Sequence, residues 1–162
     1  MTRLAFLSPA NAAPDVRIAS PISRALGEGV VDVSHLGKLE LRGSLRNVDQ
    51  RPGEQLLRLA PTRALLVTDG PPAAAAARLG RAGLRVYDVT AALAAFEFAG
   101  EDVLRRLTDL GPDQLPAVGA IARGTWALIE ARGDGRFRVF VPQELGHYVV
   151  EVALDVLRGL GR

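Results

Sequence analysis

Cysteine is absent from this 162-residue chain. That excludes disulfide frameworks, thiol catalysis, zinc fingers and iron–sulfur clusters together. Only two histidines, His35 and His147, are present, too few for a histidine-rich metal site. Lysine occurs once, at Lys38, against 19 arginines. Arginine stays charged at any relevant pH, so a sequence pI of about 9.6 coexists with a net charge of only +2. That charge is too small for a nucleic-acid footprint. No run reaches the roughly 18 apolar residues that span a membrane. The N-terminal run Leu4 to Leu7 falls short of the roughly 7–15 apolar residues of a secretory signal. The expectation is a cytoplasmic protein that binds neither membrane nor nucleic acid. Gly27-Glu28-Gly29 precedes a strand pattern instead of following one, and no phosphate-binding Gly-Lys-Ser/Thr run exists. The nucleotide fingerprints are therefore unmet.

What is present is an ordinary globular composition, 48% apolar and 23% charged. Residues 1–29 read as an irregular arm held extended by Pro9, Pro14 and Pro21, with Ile18 and Ile22 pinning it to the core. Ser23 to Leu26 suit one helical turn. Residues 30–42 read as one strand whose alternation switches phase near Leu36, with a bulge or bend at Gly37. A hairpin spans 54–60 and 63–69, and an alanine-rich helix 72–82 starts at Pro72 and ends before Gly83. Residues 85–98 read as a second long strand, followed by a helix over about 101–110 and a loop at 113–119. A second hairpin spans 121–131 and 136–142. Its second arm puts Phe137, Val139 and Val141 on one face, and Arg136, Arg138 and Phe140 on the other. The closing helix, 144–159, has the clearest amphipathic pattern.

Val30-Val31-Asp32-Val33-Ser34 and Val86-Tyr87-Asp88-Val89-Thr90 begin two similar stretches, each followed by a hairpin and a helix. This predicts an α+β fold of two pseudo-repeated β(α)ββα halves, 30–84 and 85–162, within a single domain 30–162. A mixed or antiparallel sheet layer with helices packed on it is expected.

The chemistry-bearing candidates are few. Asp32, Ser34 and His35 cannot form a triad on one strand, because neighbouring side chains point to opposite faces. Asp32 with Ser34, and Asp88 with Thr90, suit local backbone hydrogen bonds instead. Arg132-Gly133-Asp134 suits a turn. Arg123, Arg136 and Arg138 are expected side by side across the C-terminal hairpin, either as an anion-holding fork or as a solvated or interface face. Trp126 beside them suits core packing, an interface or a ring-stacking site.

Asp32-Val33-Ser34-His35-Leu36-Gly37-Lys38 resembles the strand motif of the folate-dependent aminomethyltransferases, the T-protein of glycine cleavage. The second stretch, with Gly119-Ala120-Ile121-Ala122-Arg123 and Phe137-Arg138-Val139-Phe140-Val141-Pro142, resembles the gamma subunit of heterotetrameric sarcosine oxidase. Arg63-Ala64-Leu65-Leu66-Val67 matches that family's middle strand. The resemblance covers roughly residues 20–160. It implies the aminomethyltransferase folate-binding-domain fold. It also implies a non-catalytic subunit packed on larger flavoprotein amine-oxidase subunits that carry the flavin, NAD and folate. Transferases of this type keep an acid in the region that here reads Gly124-Thr125-Trp126-Ala127-Leu128, and none stands there. The alternatives are a stand-alone protein that binds tetrahydrofolate, within one-carbon metabolism, and a structural homo-oligomer formed by self-association. If a partner exists, Arg123, Arg136, Arg138 and Phe140 are the expected contact face.

Overall fold

A computed structural model describes residues 20–46 and 48–161. Nine strands and three helices follow in chain order. They are β1 (Val30–Asp32), β2 (Gly37–Arg42), β3 (Glu54–Ala60), β4 (Arg63–Thr68), α1 (Pro72–Arg81), β5 (Arg85–Asp88) and β6 (Leu93–Ala99). Then come α2 (Glu101–Leu107), β7 (Ala117–Ile121), β8 (Thr125–Gly133), β9 (Arg136–Pro142) and α3 (Gly146–Gly159). No helix of the described residues is long and apolar enough to cross a membrane.

The architecture is α+β, but the strands form two antiparallel sheets where a single layer was expected. One sheet runs β1-β6-β9-β8-β7 and the other β3-β4-β2-β5. Leu57, Leu65 and Val67 of the second sheet meet Ala95, Leu128 and Phe140 of the first. The outer face of the four-stranded sheet packs Leu39, Leu41 and Leu66 against Ala75 and Leu79 of α1. The outer face of the five-stranded sheet packs Phe96, Phe98 and Val139 against Val103 and Leu104 of α2 and Val149 and Ala153 of α3. Four layers result, helix, sheet, sheet, helices. Two internal faces need two sets of inward side chains, so strands carry apolar residues on both faces.

Each expected long strand is two strands in different sheets. At the first crossover, the Asp32 carboxylate accepts the Ser34 N–H at 2.8 Å and Leu36 N–H bonds Val33 C=O at 3.2 Å. That local turn ends β1, and the chain passes from the five-stranded sheet into β2 of the other. Gly37 sits where the strand restarts, and a Cβ there would lie 2.7 Å from Thr68 Cγ2. The phase switch near Leu36 marks this change of sheet, not a bulge. The second crossover repeats the device. The Asp88 carboxylate accepts Thr90 N–H at 2.9 Å, a short 3-10 turn spans Thr90–Ala92, and β6 begins in the other sheet.

The two crossovers therefore exchange strands. β1 pairs with β6, matching Asp32 to Phe96 and Val30 to Phe98. β5 pairs with β2, matching Asp88 to Leu39 and Val86 to Leu41. The pairing is reciprocal, as two related halves require. The β7 strand lies where a loop was expected. Its Gly119 packs against Leu110, whose Cδ1 would lie 2.7 Å from an added Cβ and would have to shift. The second helix is shorter than expected, ending at Leu107. Within the predicted arm, Ile18 lies outside the described residues. Residues 20–25 make turns, and Ile22 and Ala25 join the core under α3.

Candidate functional site

The two Asp-Val-Ser/Thr motifs converge at the crossovers. The Ser34 hydroxyl donates to Ala95 C=O at 3.1 Å and accepts Ala95 N–H at 3.0 Å. The Thr90 hydroxyl accepts Lys38 N–H at 3.0 Å and meets Lys38 C=O at 3.5 Å. Val33 N–H bonds Ala95 C=O at 3.0 Å, and Val89 N–H bonds Lys38 C=O at 2.9 Å. Both hydroxyls are thus saturated by backbone, each stapling its own crossover to the opposite half. A cavity of about 640 Å³ opens here with Ser34, His35, Asp88 and Thr90 on its wall. The Ser34 and Thr90 hydroxyls on this wall hold backbone groups of the opposite half. Asp32 is held below the usual carboxylate range. Burial opposes this, but hydrogen bonds from Ser20 and Ser34 outweigh it.

Lys38 is the residue at this junction that sequence reasoning passed over. It is fully buried, and its ammonium donates to Ser34 C=O at 2.8 Å and Leu36 C=O at 2.9 Å. Burial pushes its pKa down to about 8, while the carboxylates of Asp32 and Asp88 oppose the shift. Its being the only lysine in an arginine-rich chain was the available signal. The native state binds this proton more weakly than the unfolded chain, whose lysine pKa is near 10.5. Stability from this group therefore rises as pH climbs between about 8 and 10.5. Urea titrations across that range are expected to show the rise in the wild type and its loss in Lys38→Met. A rise of equal size in both proteins would remove Lys38 as the source.

A second polar cluster lies between the sheets. Glu97, Arg138 and Glu130 face one another across β6, β9 and β8. Arg138 is ion-paired to Glu97 at 2.7 Å and to Glu130 at 3.0 Å. The Glu130 oxygen is fully buried and lies off the hydrogen-bonding line, so that contact is an ion pair only. Gln55 of β3 bridges the sheets, donating to Glu130 and accepting from Arg132. Burial raises the Glu130 pKa, against the pull of Arg138 and Arg132. Glu97 between two phenylalanines and Glu130 after Ala127-Leu128-Ile129 were the sequence signals for this cluster.

The structure does not bring the expected contact face together. Phe140 is 1% exposed and packs between the sheets, and Arg138 is 5% exposed and internally paired. Neither stands on an exposed face. Both faces of β9 are covered, so the alternation separated two interiors and not an inside from an outside. Arg123 lies in the turn joining β7 to β8, with a φ of 66°, and Arg136 begins β9 at the far end of β8. The three arginines are not side by side. At about 3.3 Å per residue, the length of β8 sets Arg123 and Arg136 about 25 Å apart.

Trp126 does reach the surface and is 67% exposed. It shares the inner face of the five-stranded sheet with Leu128 but lies beyond the edge of the other sheet. It borders an apolar cavity of about 260 Å³, walled by Leu59, Leu65, Leu128 and Phe140, with Glu40 and Arg63 at its edge. Among the described residues, no group of three or more histidines and carboxylates is placed to hold a metal.

No protein-family model matches the chain, and no curated protein matches it in sequence. Among solved structures, it matches a chain of heterotetrameric sarcosine oxidase from Corynebacterium sp. U-96, solved in complex with pyrrole 2-carboxylate. The TM-score is 0.69 at 17% identity, covering 90% of this chain and 97% of that one. Escherichia coli aspartokinase III, with lysine and aspartate, matches at a TM-score of 0.42 and 13% identity, covering 78% of this chain and 31% of that one. Identity of 17% relates folds and not activities. The protein has the fold of a subunit of heterotetrameric sarcosine oxidase.

Proposed function

We propose that the protein is a gamma-type, non-catalytic subunit of a sarcosine-oxidase-like, amine-oxidising flavoprotein complex. One observation carries this reading. The match runs through 97% of a chain that is itself one part of a heterotetramer. The motifs that resemble an aminomethyltransferase support it, because their hydroxyls are consumed in stapling the two halves. Flavin and NAD, on this reading, belong to the larger subunits. The test is to read the neighbouring genes, where flavoprotein amine-oxidase subunits are expected, and to co-express the chain with them. The expected result is co-elution at fixed stoichiometry, with amine-dependent peroxide formed by the complex and none by the lone chain. Turnover by the lone chain, or failure of the wild-type chain to assemble, would overturn it.

A stand-alone tetrahydrofolate-binding protein is the second reading, favoured by the exposed ring of Trp126 as a stacking surface. Saturable quenching of Trp126 by tetrahydrofolate, with no assembly, would select it.

A further inference from the structure

We propose that the cleft beside Trp126 is the docking site for an acidic segment of a partner subunit, anchored by one aromatic or bulky aliphatic side chain. The source of the segment rests on the subunit reading above.

One wall of the cleft is apolar and open. Strand register places Val118 opposite Leu128 and Ala120 opposite Trp126, so Val118 and Trp126 share the inward face. Leu128 on that face is covered by the four-stranded sheet, yet Val118 and Trp126 are 51% and 67% exposed. The five-stranded sheet overhangs its neighbour there, and the gap between the sheets opens to solvent.

The facing wall is cationic. Register aligns Arg85, Arg42 and Arg63 across β5, β2 and β4, with Tyr87, Glu40 and Leu65 in the next row. Leu65 packs between the sheets, so this face of the four-stranded sheet looks toward the gap. Glu40 accepts from both Arg42 and Arg63 at 2.9 Å. Its carboxyl is half-buried, but the two guanidinium groups outweigh that cost and hold it below the usual range. Arg42 also lies 5.5 Å from the Tyr87 ring. Arg63 lines the cavity with Glu40, and Arg42 stands beside it in register. Two guanidinium groups share one carboxylate, which leaves an excess of positive charge along that wall.

The size of the cavity favours a small occupant. At about 260 Å³ it is smaller than the roughly 300–1,000 Å³ typical of cofactor and small-ligand sites. It suits a single side chain inserted among Leu59, Leu65, Leu128 and Phe140. Tryptophan and arginine lining such a pocket are residue types that dominate protein interfaces. Charge complementarity then requires acidic residues flanking the anchor.

Trp126 is the only tryptophan in the chain, so its emission reports occupancy directly. Two measurements test the proposal. The first titrates the full chain with the blocked peptide Asp-Asp-Phe-Asp-Asp, using Lys-Lys-Phe-Lys-Lys as the control. Saturable change with the acidic peptide only, weakened about tenfold or more in Arg63→Glu, supports the site. Equal response to both peptides, or to neither, overturns it. The second compares the assembled complex with the free chain. A blue shift of Trp126 on assembly, and about tenfold weaker assembly of Trp126→Ala at unchanged melting temperature, support it. Assembly with unshifted emission and indifferent to Trp126→Ala overturns it. Self-association that Trp126→Ala abolishes would assign the cleft to a second copy, also overturning it. If the wild-type chain assembles with nothing, the subunit reading fails, and the peptide titration alone decides the cleft.

Discussion

Phe140→Ala is expected to destabilise the fold by about 3–5 kcal/mol, the usual cost of emptying a buried phenylalanine site. Phe140 is 1% exposed and packs with Leu57, Leu65, Val67, Ala95 and Leu128. These residues come from both sheets, so the lost ring is shared by the whole inter-sheet contact. The sheets cannot collapse onto the vacancy without disturbing the crossovers that tie them together. For a chain of this length each kcal/mol shifts the melting temperature by roughly 2–4 °C, so a fall of about 10 °C is expected by thermal unfolding. Trp126→Ala, at a 67% exposed site, should leave the melting temperature almost unchanged and serves as the control. Equal, small effects in both variants would mean that Phe140 is not part of the inter-sheet core.

Arg138→Ala is expected to cost a comparable amount, about 3–5 kcal/mol, for a different reason. It removes the cation shared by Glu97 and Glu130, leaving Glu97 only the 3.6 Å contact with Arg132 and the buried Glu130 without its ion-pair partner. The loss should depend on pH. Burial already raises the Glu130 pKa above its ordinary value of 4.5, with Arg138 the largest opposing influence. A carboxyl with a raised native pKa binds its proton more tightly in the folded state. Its contribution to stability is greatest below the unfolded value and falls as pH rises through the native one. Removing Arg138 pushes the native value higher and widens that window. The stability difference between Arg138→Ala and wild type should therefore shrink from pH 7 toward pH 4.5. Urea denaturation at both pH values measures it. Glu130→Gln, which leaves the Arg138–Glu97 pair intact, should be milder and flatten the wild-type pH dependence. A pH-independent loss in Arg138→Ala would assign the damage to packing instead of charge.

The repeat was legible in the sequence because its carriers act locally. Asp32 and Asp88 each bond the N–H two residues on, which requires only the right neighbours in the chain. Both hairpins and α1 were legible for the same reason, through Pro61-Thr62, Gly133 to Gly135 and Pro72. The fate of each crossover was not. A strand that bulges and a strand that changes sheet leave the same phase switch near Leu36, and only the pairing of β1 with β6 and β2 with β4 distinguishes them.

The candidate site divides in the same way. Local chemistry determined that Asp32 and Asp88 bond the backbone two residues on, that the second hairpin turns at Asp134-Gly135, and that no cysteine chemistry is present. The Ser34 and Thr90 hydroxyls instead bond backbone of the opposite half, and Arg132 and Gly133 belong to β8. Tertiary structure alone decided which faces met solvent. Alternation along β9 separates Phe137, Val139 and Val141 from Arg138 and Phe140, but it carries no information about whether a second sheet covers the other side. Here one does, so Arg138 and Phe140 are interior. Beyond the edge of that sheet, Trp126 on the same inward face is left open. Burial belongs to the pair of surfaces that meet, and the second surface comes from residues distant in the chain.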